Sequence, residues 1–271
     1  MPIRLVLTDL DGTAVVIAEP ASPSDRVVRA VASARTAGIG VAAVTARPWP
    51  GARRILREMG LTGLCVLSGG TRVVDAGTGT VLWRRDLTPV AVAAILAACG
   101  PFAHELLVGE EQPGGGAPAA QRSMAAVMAL SPGAAFLMAA TPAAGAAALA
   151  VVAACPEVSA VAVASWTGRA VDVHFTPAHG SKFYGATAAR KLLGVRWAET
   201  VAMGDADSDI PLLAAAGLRI AVVGASPALT ASAHLIAPSA ADDGLAVVLE
   251  ALALDPTRAA LRARLPRAHR P

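Results

Sequence analysis

Aromatic residues make up only 3% of the 271-residue chain: four phenylalanines, four tryptophans and one tyrosine. That scarcity removes the stacking platforms that single-stranded nucleic acid needs. Lysine is scarcer still, occurring only at 182 and 191, with arginine serving everywhere else. The net charge of +3 owes much to the tail residues Arg258, Arg262, Arg264, Arg267 and Arg270. We read these as a solvated helical tail, not as a nucleic-acid surface. The three cysteines, Cys65, Cys99 and Cys155, are scattered, odd in number and without zinc spacing. They suit small buried hydrophobes in a reducing cytoplasm, not a disulfide framework or a zinc site. Charged residues amount to 16%, and none occurs between Ser123 and Pro156. That run is long enough to span a membrane, but Pro132, Gly133, Pro142 and Gly145 cut it into strand-like and helix-like pieces. With much of the apolar excess being alanine, the expectation is a soluble protein with no membrane partner. Asp9 and Asp11 interrupt the first apolar run, so no signal peptide is expected.

What the chain does have begins at Leu5-Val6-Leu7-Thr8-Asp9-Leu10-Asp11-Gly12-Thr13. An apolar run of strand character ends in two carboxylates two residues apart, followed by a Gly-Thr turn. Side chains alternate along a strand, so Asp9 and Asp11 share one side if the extended geometry continues. Two acids at the carboxyl end of a strand repel unless a cation or a shared proton offsets them. Open α/β sheets bind their ligands at that edge.

The pattern around this segment alternates strand and helix: strand 4–7, helix 24–37 with Ser22 or Ser24 as N-cap and Gly38 as stop, strand 40–44, helix 50–59 and strand 64–67. Such βαβαβ alternation predicts a parallel sheet flanked by helices, a Rossmann-like α/β core. The rhythm then changes. A hairpin (71–75 and 80–85), helix 89–99, strand 103–108, a Gly/Pro-rich loop at 113–118, strand 134–140, helix 143–154 and a second hairpin (158–166 and 169–175) predict an inserted α+β domain. The expected division is therefore core 1–81, insertion 82–176 and core 177–271. After Thr176 the parallel rhythm returns with helix 182–192, strand 200–203, helix 210–216, strand 219–223 and helix 244–252.

Four polar segments fall just after core strands or at the following helix: Asp9/Asp11, Thr45, Lys182 and Gly204-Asp205-Ala206-Asp207-Ser208-Asp209. In a doubly wound sheet such points converge on one crevice. Their order, Asp9-Leu10-Asp11-Gly12-Thr13, then Thr45, then Ser181-Lys182, then Gly204-Asp205-x-x-Ser208-Asp209, resembles the haloacid dehalogenase superfamily. It is most similar to the Cof-type phosphatases, which insert a cap between the second and third of these motifs. The resemblance covers essentially the whole chain.

This resemblance implies a Mg²⁺-dependent phosphomonoester hydrolase acting through an aspartyl-phosphate on a small phosphorylated metabolite, with sugar phosphates foremost. Asp9 would be the nucleophile, and Asp11 the acid for the leaving oxygen and then the base for water. The Asp9 carboxylate, the Asp11 carbonyl and the Asp205 carboxylate would hold Mg²⁺. Thr45, Lys182 and the backbone near Leu10 would bind phosphate. Ser208 and Asp209 would support the metal or pair with Lys182, while Asp207 would face solvent. Ser208 or Asp207 could also cap the helix that follows. Arg47, Gly69 and His179 are candidate substrate contacts. The chain departs from the family where Ser208 replaces the usual Asn and where Ser68-Gly69-Gly70 replaces the usual Asn-Gly. Glycosyl-phosphoglycerates or nucleotides are alternative substrates, and a phosphate-binding regulator without turnover is the alternative outside catalysis. A homodimer stays open.

Overall fold

The computed structural model describes residues 1–18, 20–99, 106–108, 124–129, 132–164 and 171–268. The chain opens with β1 (Leu5–Thr8), α1 (Asp25–Thr36), β2 (Gly40–Ala43), α2 (Trp49–Glu58) and β3 (Leu64–Leu67). Then come β4 (Arg72–Asp75), β5 (Val81–Arg84), α3 (Pro89–Cys99), β6 (Leu106–Val108), α4 (Met124–Ala129), β7 (Ala135–Ala140), α5 (Pro142–Ala154), β8 (Val158–Ala164) and β9 (Val171–Pro177). It closes with α6 (Lys182–Leu192), β10 (Thr200–Gly204), α7 (Ile210–Ala214), β11 (Leu218–Val222), α8 (Pro227–Ser232), β12 (Leu235–Ala237), α9 (Gly244–Leu254) and α10 (Arg258–Arg264).

Five parallel strands form the central sheet in the order β12-β11-β10-β1-β2. Within it β1, which pairs with β10 on one side and β2 on the other, is buried on both faces, which explains a run of consecutive apolar residues instead of an alternating one. Val6 faces a core built with α1, α2, α9 and α10. Leu5 and Leu7 face the opposite layer, where Ala186 and Ala189 of α6 and Leu212 of α7 meet them. The helix boundaries follow local chemistry. Ser24 caps α1 by accepting the Val27 N–H at 3.1 Å, and Gly38 follows its end at φ 78°.

One expectation needs correction. The third strand of the βαβαβ run does not join the parallel ladder beyond a single bridge, Val44 to Val66. β3 pairs instead with β4, antiparallel, and β4 with β5, giving a separate three-stranded sheet. The Ser68–Gly70 turn that follows β3 reverses the chain immediately, so the hairpin partner satisfies its backbone. The expected border near Leu82 falls within β5. A short helix, α8, and the edge strand β12 complete the far side of the sheet, beyond the strand expected at 219–223.

The second body is an antiparallel sheet in the order β6-β7-β9-β8. One face packs against α3 and α5: Leu137, Val173 and Phe175 share a core with Ala91, Ile95, Ala148 and Val151. Phe136 and His174, on neighbouring strands, alternate to the other face. The Gly/Pro-rich loop at 113–118 and the turn Thr167-Gly168 lie outside the described residues. Among the described residues no helix is long and apolar enough to cross a membrane.

Candidate active site

β1, β2, β10 and the start of α6 each deliver one part of the site. Asp9 directly follows β1, and its carboxylate is almost fully buried. Lys182, the first residue of α6, places Nζ 2.7 Å from Asp9 Oδ1 and 2.5 Å from Asp209 Oδ1. The helix can come this close because the turn after β3 carries glycine. A Cβ on Gly70 would sit 2.3 Å from the Ser181 carbonyl carbon, and one on Gly185 would sit 2.4 Å from the Gly70 oxygen. The Ser68-Gly69-Gly70 departure thus serves helix docking. Ser68 itself takes φ 52°, a left-handed conformation that asparagine tolerates better than most residues.

Asp209 also gathers the turn after β10, where its Oδ2 accepts the Asp205 and Ala206 N–H groups at 3.1 and 3.2 Å. This replaces the expected cap from Ser208 or Asp207. Asp207 is exposed and accepts the Ser226 hydroxyl. Ser208 is half-buried, and its hydroxyl makes no hydrogen bond among the described residues. Asp205 accepts the Thr13 hydroxyl at 2.7 Å, a contact that sequence reasoning missed although Thr13 belongs to the first motif. Gly12 makes room for it: at φ 86°, its Cβ would lie 2.4 Å from Asp205 Oδ2.

Asp9, Asp205 and Asp209 each offer an oxygen, all within 4.8 Å of one another. At an effective dielectric of about 20, each ionised pair at that spacing costs on the order of 3 kcal/mol. Burial, then the Asp209 charge, raises Asp9 well above the usual carboxylate range, against the pull of Lys182. Burial and Asp209 likewise push Asp205 up to about 6. For Lys182, burial favours the neutral amine, but the adjoining Asp209 and Asp9 carboxylates outweigh it and raise its pKa. One ammonium against three acids leaves a negative excess, which suits a divalent cation. The donors are all carboxylate oxygens, as a hard ion such as Mg²⁺ requires.

Thr45 is buried at the end of β2, where its hydroxyl accepts the Arg47 N–H at 3.1 Å. The Gly69 N–H donates to the Thr45 carbonyl at 3.1 Å. Leu10 is buried, and its carbonyl accepts the N–H groups of Thr13, Ala14 and Val15. The Leu10 and Asp11 amides themselves find no acceptor among the described residues, an uncommon state that fits an anion cradle. Two candidates lie differently from the rest. Asp11 accepts the Arg47 guanidinium on both carboxylate oxygens, at 2.7 Å for each of two bonds. His179 is exposed and pairs with the Tyr184 hydroxyl at 2.9 Å.

The sequence profile of the haloacid dehalogenase-like hydrolases matches residues 6–113 and 152–249. The chain belongs to that family of hydrolases. Among solved structures it is similar to a HAD-superfamily phosphatase from Bacteroides thetaiotaomicron, at 19% identity over 92% of this chain and 94% of that one, with a TM-score of 0.75. A HAD subclass IIB sugar phosphatase matches at 16% identity over 91% and 98%, with a TM-score of 0.73. A HAD/COF-like hydrolase from Plasmodium vivax matches at 17% identity over 92% and 95%, with a TM-score of 0.74. At these identities the likeness is one of fold. No curated protein matches the chain.

Proposed function

We propose that the protein is a Mg²⁺-dependent phosphomonoester hydrolase that works through an aspartyl-phosphate on Asp9. The observation that carries this reading is the buried Asp9 carboxylate, bonded to Lys182 and clustered with Asp205 and Asp209. In the first step an Asp9 oxygen attacks phosphorus, and the ester P–O bond breaks. The departing oxygen takes a proton from Asp11. In the second step Asp11 takes a proton from water as that water attacks phosphorus, and the bond to Asp9 breaks to release phosphate. Thr45, Lys182 and the Leu10 and Asp11 amides hold the non-bridging oxygens.

Asp9, Asp205 and the Asp11 carbonyl are the protein ligands we assign to Mg²⁺, which when bound would offset the charge between nucleophile and phosphate. Asp209 holds Lys182 and the Asp205 turn in place. Residues 82–176 act as a cap that shields the site and meets the leaving group. The substrate is a small phosphorylated metabolite, and a sugar phosphate is the class we favour.

The test is hydrolysis of p-nitrophenyl phosphate with and without Mg²⁺. The expected result is metal-dependent turnover that falls at least about 10⁴-fold in Asp9→Asn while the far-ultraviolet spectrum is unchanged. Full activity after chelation, or in Asp9→Asn, overturns the assignment. Tight phosphate binding with no turnover of any ester would favour the regulatory alternative.

A further inference from the structure

His174 lies on β9, on the face of the cap sheet that the cap helices leave uncovered. Its neighbours in sequence, Val173 and Phe175, are fully buried in the helix-covered core, so residue 174 alternates to the opposite side. Thr176 shares that side. It reaches the core domain, because its Cγ2 lies 3.0 Å from where a Gly69 Cβ would stand. Gly69 in turn bonds to Thr45, one of the phosphate-binding candidates. The side of β9 that carries His174 and Thr176 therefore faces the core domain beside Thr45, close enough for His174 to feel the Lys182 charge.

The imidazole is prepared for recognition. Phe136 meets it edge-on, with ring centroids 4.9 Å apart and planes at 81°, which fixes its orientation. It makes no hydrogen bond with any described residue, although it is half-buried. Burial, and next the nearby Lys182 charge, push its pKa down to about 4. At neutral pH the ring is therefore uncharged and offers one N–H donor and one nitrogen acceptor. Val161, paired with it across β8, adds an apolar flank.

We propose that His174 hydrogen-bonds a hydroxyl of the leaving group and selects sugar or polyol phosphates over esters whose leaving group carries no hydroxyl. A neutral donor–acceptor ring suits an alcohol. It supplies no charge for a second phosphate. Removing such a contact leaves a buried polar partner unsatisfied, and that is how a site rejects analogues. This inference rests on the phosphatase reading above, so its test must fail separately from that reading.

The first measurement compares kcat/KM for glucose 6-phosphate and p-nitrophenyl phosphate in wild type, His174→Leu and His174→Gln. The ratio of glucose 6-phosphate to p-nitrophenyl phosphate should fall about 10- to 100-fold in His174→Leu. His174→Gln, which keeps one donor and one acceptor group, should recover part of it. An unchanged ratio, or an equal loss on both esters, overturns the proposal. The second measurement needs no turnover and no folded His174→Leu. In the Asp9→Asn protein with Mg²⁺, the ring nitrogen resonances of His174 should move on adding glucose 6-phosphate but not inorganic phosphate. Binding of the sugar phosphate with those resonances unmoved overturns the proposal. If the wild type hydrolyses no ester yet the resonances move, the phosphatase reading falls and the role of His174 stands. Turnover with an unchanged ratio does the reverse, and absence of both overturns both.

Discussion

The Arg47 guanidinium grips both oxygens of the Asp11 carboxylate, Nε to Oδ2 and Nη2 to Oδ1, each at 2.7 Å. The two residues come from different loops, after β1 and after β2. Asp11 is the group we assign to proton transfer, so its aim decides whether the leaving oxygen is protonated. A bidentate fork fixes the plane of the carboxylate as well as its position. Arg47→Ala should therefore lower kcat on p-nitrophenyl phosphate by about 10- to 100-fold, chiefly through misaimed proton transfer. Arg47→Lys should recover little, since a point charge cannot make the fork. Steady-state kinetics check this, and a change confined to KM would return Arg47 to the role of substrate contact.

Removing Lys182 tests the electrostatics of the cluster. Its ammonium stands between two buried carboxylates, and nothing else described bonds to Asp9 Oδ1. Breaking a buried pair by deleting one partner leaves uncompensated charge, typically a loss of about 3–5 kcal/mol. Lys182→Ala should accordingly unfold at lower urea concentration, with part of the loss restored by millimolar Mg²⁺. Urea titrations with and without the metal measure both effects. Equal midpoints for wild type and variant without metal would show that the carboxylates do not depend on Lys182.

These two contacts mark where the sequence was legible and where it was not. Asp9, Thr45, Lys182, Asp205 and Asp209 could be placed together because each ends a strand or starts a helix of one parallel sheet, and topology alone brings such points to one edge. The Arg47 grip on Asp11 depends on where a long side chain reaches across two loops, which periodicity does not encode. The departure of β3 from the parallel ladder was hidden for a similar reason. An apolar tetrapeptide such as Leu64–Leu67 reads alike in parallel and antiparallel company. β12, only three residues long, carries too short a pattern to register. His174 belongs to none of the sequence motifs, and the face it occupies follows only from the strand pairing.

Glu199 gives a prediction for acid stability away from the site. The Arg196 guanidinium and then the Arg196 backbone N–H hold its carboxyl down to about 2, at hydrogen-bond distances of 2.9 Å each. The folded pKa lies below the unfolded value of about 4.5, so the unfolded chain binds the proton more readily. The carboxylate therefore stabilises the fold fully above about pH 4.5, and that contribution fades as pH falls toward 2. Wild type should exceed Glu199→Gln in stability at pH 6, with the gap closing between pH 4.5 and 2. Thermal midpoints measured across that range decide it, and a gap independent of pH would mean that the hydrogen bonds do not distinguish the charged form.

Gly70 offers the sharpest test of how the backbone builds the site. It sits at φ 106°, and an added Cβ would lie 2.3 Å from the Ser181 carbonyl carbon and 2.4 Å from the Lys182 nitrogen. Backbone atoms cannot swing aside as a flexible side chain can, so either the turn or the start of α6 must move. Combining the left-handed conformation with that clash, Gly70→Ala should cost about 2–4 kcal/mol. A shift of α6 also carries Lys182 away from Asp9, so activity should fall further than the remaining folded fraction explains. Gly60→Ala is the control: it has a similar positive φ of 72° but nothing within 4 Å of its Cβ. It should lose about 1 kcal/mol and keep full activity per folded molecule. If both variants lose stability equally and both retain activity, close approach at Gly70 is not what positions Lys182.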